Sequence, residues 1–310
     1  MATDHDTPHD TPLKAPKYWP SWAALGLLHS TVWLPHGFRM TLGAALGRLY
    51  LRMGERRRRI AETNLGLCFP ELSAEERDRL LQQHFESLGK GLMELAMAWW
   101  ASDRRCLKGA RIEGREHLSR ALHTGRGVIL FSAHFTTLEL GGRLLNLLYP
   151  ELPFHGMYRP NENPVLDRVM HRQRSRRILH PIPRDDVRTM LRSLKKGEVV
   201  WYASDQNYGH KNSVFAGFFG IPAATNTAVS RLAKRGDAVL LPFFPYRLAD
   251  DSGYVIEISA PLEGFPSADP RQDAIRLNRI IEGWARRAPA QYFWIHRRFK
   301  DRPEGEEGFY

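Results

Sequence analysis

Cysteine is nearly missing from this chain. Cys68 and Cys106 are the only two thiols in 310 residues, too few for a disulfide framework and in keeping with a reducing compartment. Neither a CxxC nor an HExxH spacing occurs, so a structural zinc site is not expected. No internal repeat is visible. Acidic residues are in deficit: 34 Asp and Glu stand against 45 Lys and Arg, for a net charge of +11. Such a surplus points to an anionic partner, whether nucleic acid, an acidic membrane surface, or an acidic protein or substrate. No nucleic-acid motif accompanies it, and the aromatics lie in apolar runs rather than among the basic residues, so nucleic acid is not the expected partner. What remains is an ordinary globular composition, 43% hydrophobic, long enough for one large domain or two small ones.

Charge is also absent from one stretch near the start. Residues 1–17, rich in Asp, His, Thr and Pro, have no apolar pattern and read as a disordered tail, with His5 and His9 as solvated residues rather than a metal tract. From Tyr18 to Leu34 there is no Asp, Glu, Lys or Arg, and Trp19, Trp22 and Trp33 sit near the two ends as an aromatic belt would. Seventeen residues are at the short limit of a spanning helix, roughly 17–25 residues. The stretch could span a membrane, lie in its interface, act as a signal peptide or be a buried core helix. Pro35-His36-Gly37 in place of a small-residue cleavage site argues against the signal peptide. Residues 18–53 are therefore expected to be a membrane anchor and a juxtamembrane helix. The positive charge downstream, including Arg56-Arg57-Arg58-Arg59, puts the remainder on the cytoplasmic side. Those four arginines suit anionic lipid heads, or form a solvated helix face.

Ser73-Ala74-Glu75-Glu76 is a capping-box pattern. It opens a long helix whose stripe runs from Leu80 to Trp100 at 3–4 spacing. After residue 110 short strands and helices alternate. Strands are expected at 127–132, 154–158, 198–203, 238–244 and 254–259, and helices near 136–148, 163–175, 185–196, 225–236 and 271–287. The fold class is α/β, with a mostly parallel central sheet flanked by helices and ligands at the C-terminal strand ends. Residues 54–310 form this one domain.

A candidate base sits in the first of those units. Val128-Ile129-Leu130-Phe131-Ser132 reads as a buried strand, and a helix follows from about Leu138. His134 lies between them, with Glu139 five residues on. His-x4-Glu or His-x4-Asp occurs four times, at His5/Asp10, His134/Glu139, His180/Asp185 and His296/Asp301, so spacing alone decides nothing. Only His134 has a strand behind it and a helix ahead. Five positions of regular helix turn a side chain by about 140°, so the pair can meet only with His134 in the loop and Glu139 in the first turn. His134 would then be a general base and Glu139 the carboxylate that orients it. The competing assignment is a capping box, Thr136-Thr137-Leu138-Glu139, in which Glu139 caps its own helix.

Two further strands end in polar groups. Arg159 follows the strand at 154–158, where its donor fork would suit phosphate or carboxylate; pairing with Asp167 is the alternative. Asp205 follows Val199-Val200-Trp201-Tyr202-Ala203, as a ligand-facing group or simply in an Asx turn.

Taken together, His134-x4-Glu139, Tyr158-Arg159-Pro160-x3-Pro164, Trp201-Tyr202-Ala203-x-Asp205-x2-Tyr208-Gly209 and His296-Arg297-Arg298-Phe299-Lys300-x-Arg302-Pro303 closely resemble the lipid A biosynthesis lauroyl acyltransferases. These are late acyltransferases of the lysophospholipid acyltransferase superfamily. Asn64-Leu65-x2-Cys68-Phe69-Pro70 and Gly91-Leu92-Met93-Glu94 extend the likeness over nearly the whole chain from about Pro16. The wider superfamily carries His-x4-Asp; Glu139 agrees with the lipid A branch. The resemblance implies transfer of a fatty acyl chain, lauroyl, or else myristoyl or palmitoleoyl, from acyl carrier protein to a hydroxyl of Kdo-linked lipid IVA. It places this at the cytoplasmic face of the bacterial inner membrane, in contact with its lipids and without a cofactor. His134 and Glu139 would be catalytic, and Arg159 and Asp205 substrate-binding, Asp205 also organising its end of the sheet. Phe215, Phe218 and Phe219 are candidates for an acyl channel, with ordinary core as the alternative. A non-catalytic membrane protein that binds anionic lipid is the rival from another class.

Overall fold

The computed structural model describes residues 13–207, 209 and 212–310. Most of the expected N-terminal tail, with His5 and His9, and the motif residue Tyr208 lie outside the described residues.

The chain opens with helices. α1 (Trp19–Ser30) runs into a 3-10 turn at Thr31–Trp33, and α2 (His36–Met53) begins after Pro35. α3 (Glu55–Cys68) and α4 (Ala74–Trp100) follow. This corrects the spanning form of the expected anchor. Pro35 cannot donate to a continuing helix, so the apolar stretch breaks. α1 has 12 residues, about 18 Å at 1.5 Å per residue, against a hydrocarbon core of roughly 30 Å. Among the described residues no helix is long and apolar enough to cross a membrane. α2 instead packs on α4 at backbone distance. A Cβ on Gly47 would stand 2.0 Å from the Phe85 carbonyl oxygen, and one on Gly89 would stand 1.9 Å from that of Gly43. α4 starts with the capping box read from the sequence, formed by Ser73 and Glu76 in both directions.

The remainder alternates. In order come α5 (Asp103–Leu107), β1 (Ala110–Glu113), α6 (Arg115–His123), β2 (Val128–Ser132), α7 (Leu138–Leu148), β3 (Phe154–Tyr158), α8 (Pro164–Arg177), β4 (His180–Pro183), α9 (Val187–Lys195) and β5 (Val199–Ala203). A hairpin of β6 (Ser213–Phe218) and β7 (Ile221–Asn226) precedes α10 (Ala228–Gly236), β8 (Val239–Arg247), β9 (Tyr254–Ile258) and α11 (Pro270–Arg287). Seven strands form one sheet in the order β1-β9-β8-β2-β5-β3-β4. All neighbours are parallel except β8 and β9. β2 lies between β8 and β5 and is buried at every position, as an unbroken apolar run requires when helices cover both faces. The fold is α/β with a mostly parallel sheet, as the alternation implied.

That topology fixes where chemistry can gather. β2 and β5 are direct neighbours, and Ser132 is in register with Ala203. Whatever follows each strand by two residues is brought to the same level at the C-terminal edge. Those residues are His134 and Asp205.

Candidate active site

The His134 ring is held by a carboxylate, but not by that of Glu139. Its Nδ1 lies 2.7 Å from Asp205 Oδ1, and its backbone N–H donates to Asp205 Oδ2 at 2.9 Å. A carboxylate only accepts, so Nδ1 carries the proton and Nε2 of the neutral ring is left as the base. Asp205 is 3% exposed and His134 keeps 32% of its side chain open. Burial opposes charge on the ring, but the charge of Asp205 and its hydrogen bond outweigh burial and raise the His134 pKa above the ordinary histidine value. Burial likewise pushes the Asp205 carboxyl up, and the pairing with His134 overcomes it, so the group is held below the usual range. Asp205 is thus behind the imidazole, not on a substrate-facing wall as expected.

Glu139 is in the first turn of α7, where the sequence put it, but it faces away from the orienting role. Its Oε1 accepts from Arg174 on α8, at 2.8 Å from Nε and also from a terminal guanidinium nitrogen, and its Oε2 accepts from Trp99 Nε1 at 3.3 Å. The capping box does not form either. Thr137, the N-cap, spends its hydroxyl on the Pro245 carbonyl at 2.9 Å and caps nothing. Both readings are corrected for one reason: α4 and α8 bring a tryptophan N–H and a guanidinium to the carboxylate, stronger partners than anything local. The His134 loop is also backed by α4. A Cβ on Gly91 would be 2.8 Å from the Thr136 carbonyl oxygen, and the Thr136 hydroxyl meets Ser87 Oγ at 2.9 Å. Ser87 in turn accepts from Arg247, which ion-pairs with the buried Glu94 at 2.6 Å.

His134 opens on a cleft of about 860 Å³. Leu138, Phe154, Met157, Met170, Leu179 and Phe243 give it an apolar side. Arg56, Arg57, Arg159, Arg184, Arg297 and Lys300 give it a basic one. Arg159 is where the sequence placed it. Asp167 is engaged by Tyr158 and by the Asn161 N–H instead of by Arg159. The arginine run splits: Arg56 and Arg57 line the cleft, while Arg58 and Arg59 make exposed i,i+4 pairs with Glu62 and Glu55. Phe215, Phe218 and Phe219 are not among the lining residues, and Phe218 is fully buried core. Arg174 escaped the sequence reading, and Arg56, Arg57 and His296, which it named for other reasons, were not read as cleft residues. Arg174 sits in a helix with four other arginines, and only the fold tells it apart from them.

An imidazole paired with a buried carboxylate thus opens on a cleft that is apolar on one side and cationic on the other, a lining that suits an amphiphilic, anionic ligand of an α/β protein. Comparison with known proteins makes this specific. Residues 7–301 match the family described as bacterial lipid A biosynthesis acyltransferase, and the chain belongs to that family. It is 42% identical to the lipid A biosynthesis lauroyltransferase of Escherichia coli (strain K12), over 95% of this chain and 96% of that one. It is 43% identical to the palmitoleoyltransferase of the same organism, over 95% of each. To the myristoyltransferase it is 28% identical, over 96% of this chain and 92% of the relative.

Proposed function

We propose that this lipid A acyltransferase moves a lauroyl chain from acyl carrier protein to a hydroxyl of Kdo-linked lipid IVA, with His134 as general base and Asp205 as the group that orients it. The acceptor hydroxyl oxygen attacks the thioester carbon while His134 Nε2 takes its proton. The resulting oxyanion collapses, the C–S bond breaks, and the thiolate leaves with the proton from the imidazolium. The hydroxyl is itself the nucleophile, so no acyl-enzyme is needed. Arg174, fixed by Glu139, supplies positive charge beside the reacting centre. Its field already opposes protonation of His134. Glu139 therefore serves catalysis by holding Arg174. Arg159 and its basic neighbours suit the acceptor phosphates, and the apolar side suits a fatty acyl chain.

The carrying observation is the Nδ1–Asp205 contact of 2.7 Å at the cleft. Purified protein should add one acyl chain to the tetraacyl acceptor from acyl carrier protein thioesters, seen by mass spectrometry. No transfer at any donor length would overturn the reading, and wild-type turnover in His134→Ala would overturn its mechanism. A palmitoleoyl or myristoyl donor is the second reading. The lauroyl and palmitoleoyl relatives are equally similar to this chain, and a rate profile across donor lengths decides between them.

The site of action we propose is the cytoplasmic face of the inner membrane, reached by an interfacial rather than a spanning anchor. Among the described residues, nine of the fourteen exposed large apolar side chains lie between Trp19 and Met53. This is more than scattered surface hydrophobes produce, and it fits contact with lipid.

A further inference from the structure

We propose that His296 and Asn64 are positioning residues, which hold one C-terminal segment across the loops that carry His134 and Asp205. This rests on the general-base reading above.

Beyond Ser132 and Ala203 the β2–β5 ladder ends, so sheet hydrogen bonds no longer fix one loop against the other. The segment that leaves α11 does this instead. Thr136 N–H donates to the Gln291 carbonyl at 2.9 Å, and Phe293 N–H donates to the His134 carbonyl at 3.0 Å. Phe135 and Tyr292 form an antiparallel bridge between these two bonds. Three residues further on, His296 Nε2 accepts the Asn207 N–H at 2.9 Å. One short length of chain thus bonds the backbone of the base's own residue and a peptide two positions beyond its carboxylate partner.

The segment is gripped from its other side by α3. Asn64, 1% exposed, donates from its amide nitrogen to the carbonyls of Trp294 at 2.6 Å and His296 at 2.8 Å. Its oxygen accepts from the Tyr310 hydroxyl. Arg57 takes the intervening carbonyl of Ile295 at 2.9 Å. Three successive carbonyls are therefore bound by one helix. A buried amide with all these bonds made is costly to replace, because truncation leaves the carbonyls unpaired.

Accepting a peptide N–H requires an unprotonated Nε2, so the proton must be on Nδ1. Burial, with Arg298, Arg57 and His134 adding positive charge nearby, depresses the His296 pKa to about 4 despite the opposing charge of Asp205. The ring is a permanent acceptor at neutral pH. His296 is also the first residue of the sequence block 296–303, so the histidine of the dismissed His296/Asp301 spacing acquires a role as a brace and not as a base.

The test compares His296→Phe and His296→Gln with wild type on acyl carrier protein thioester and tetraacyl acceptor. Losing the acceptor in His296→Phe should lower kcat by about 10- to 100-fold, the scale of a misplaced catalytic group. KM should stay near wild type, and the acidic limb of the pH–rate profile should move toward lower pH as the Asp205 contact loosens. His296→Gln, with a carbonyl that can still accept, should recover much of the rate. Asn64→Ala should show the same split of kcat from KM. A folded His296→Phe with wild-type kcat and pH limb would overturn the proposal. Should that variant fail to fold, nitrogen-detected NMR of the wild-type histidines decides. Nδ1–H with bare Nε2 at His296 supports it, and an Nε2–H tautomer overturns it. A wild type without transferase activity would instead sink the proposed function.

Discussion

The proposed base, His134, has a partner that makes it hold its proton more tightly, and this sets the sign of the pH response. Its pKa is raised by Asp205, so the active neutral form is lost as pH falls through a value above the ordinary ~6.5. The acidic limb of kcat/KM should lie above that value. Asp205→Asn should move the limb down and cut the rate by about 100-fold or more, since an oriented base contributes 10²–10⁴. Glu139→Gln should behave differently. It weakens the hold on Arg174 and not on the imidazole, so the rate should fall while the limb stays in place or shifts slightly. pH–rate profiles of the two variants side by side check the assignment. If Glu139→Gln moved the limb as Asp205→Asn does, Glu139 would be the orienting carboxylate after all.

At the level of elements, the seam between α2 and α4 is the most demanding contact. Gly47 meets the Phe85 carbonyl with no room for a methyl group. Gly47→Ala must push two backbones apart, and overpacking of this kind costs about 1–3 kcal/mol. A lowered denaturation midpoint with unchanged secondary structure is the expected result, read by circular dichroism in urea. The sequence could not announce this seam, because glycines 42 residues apart meet only through the fold. It did announce the strands flanking the site. β3 has the expected bounds, Phe154–Tyr158, and β2 and β5 each begin one residue late. β2 is buried on both faces, and β3 and β5 are each fully buried on one, so their runs stand out between polar flanks. β1 and β4 went unread because their four residues carry Arg111 and Glu113 in one, and Pro181 and Pro183 in the other. The helix Pro164–Arg177 was legible from Asn163 and Pro164, a cap and a first-turn proline. Of the site, His134 and Arg159 could be read because each follows its own strand. The Asp205 partnership could not, because it depends on strand order across 71 residues. Glu139 drew the eye by being near in sequence, and a helix cap or a pair with His134 were the local options. Its actual partners, Trp99 and Arg174, come from two other helices.

For the whole molecule, the exposed apolar face and the cleft are neighbours. Ser21 on α1 accepts from the Asn163 amide at the head of α8 at 2.8 Å, and Met170 on α8 lines the cleft. Trp33, Phe38 and Met53, which are 70%, 59% and 75% exposed, should carry much of the lipid contact. Replacing all three with Ser should release the protein from anionic vesicles in a flotation assay. Turnover of a detergent-dispersed acceptor should stay near wild type. Unchanged flotation would remove these side chains from the docking face. The adjacency of α1 and α8 has a kinetic consequence. On the proposed lipid contact, the enzyme would draw its acceptor from the leaflet it rests on, so its substrate would be counted per area of membrane and not per volume of solution. Diluting the acceptor with inert lipid should slow the reaction even when the total amount in the tube is constant. Adding more vesicles of the same composition should leave each bound enzyme turning over at the same rate.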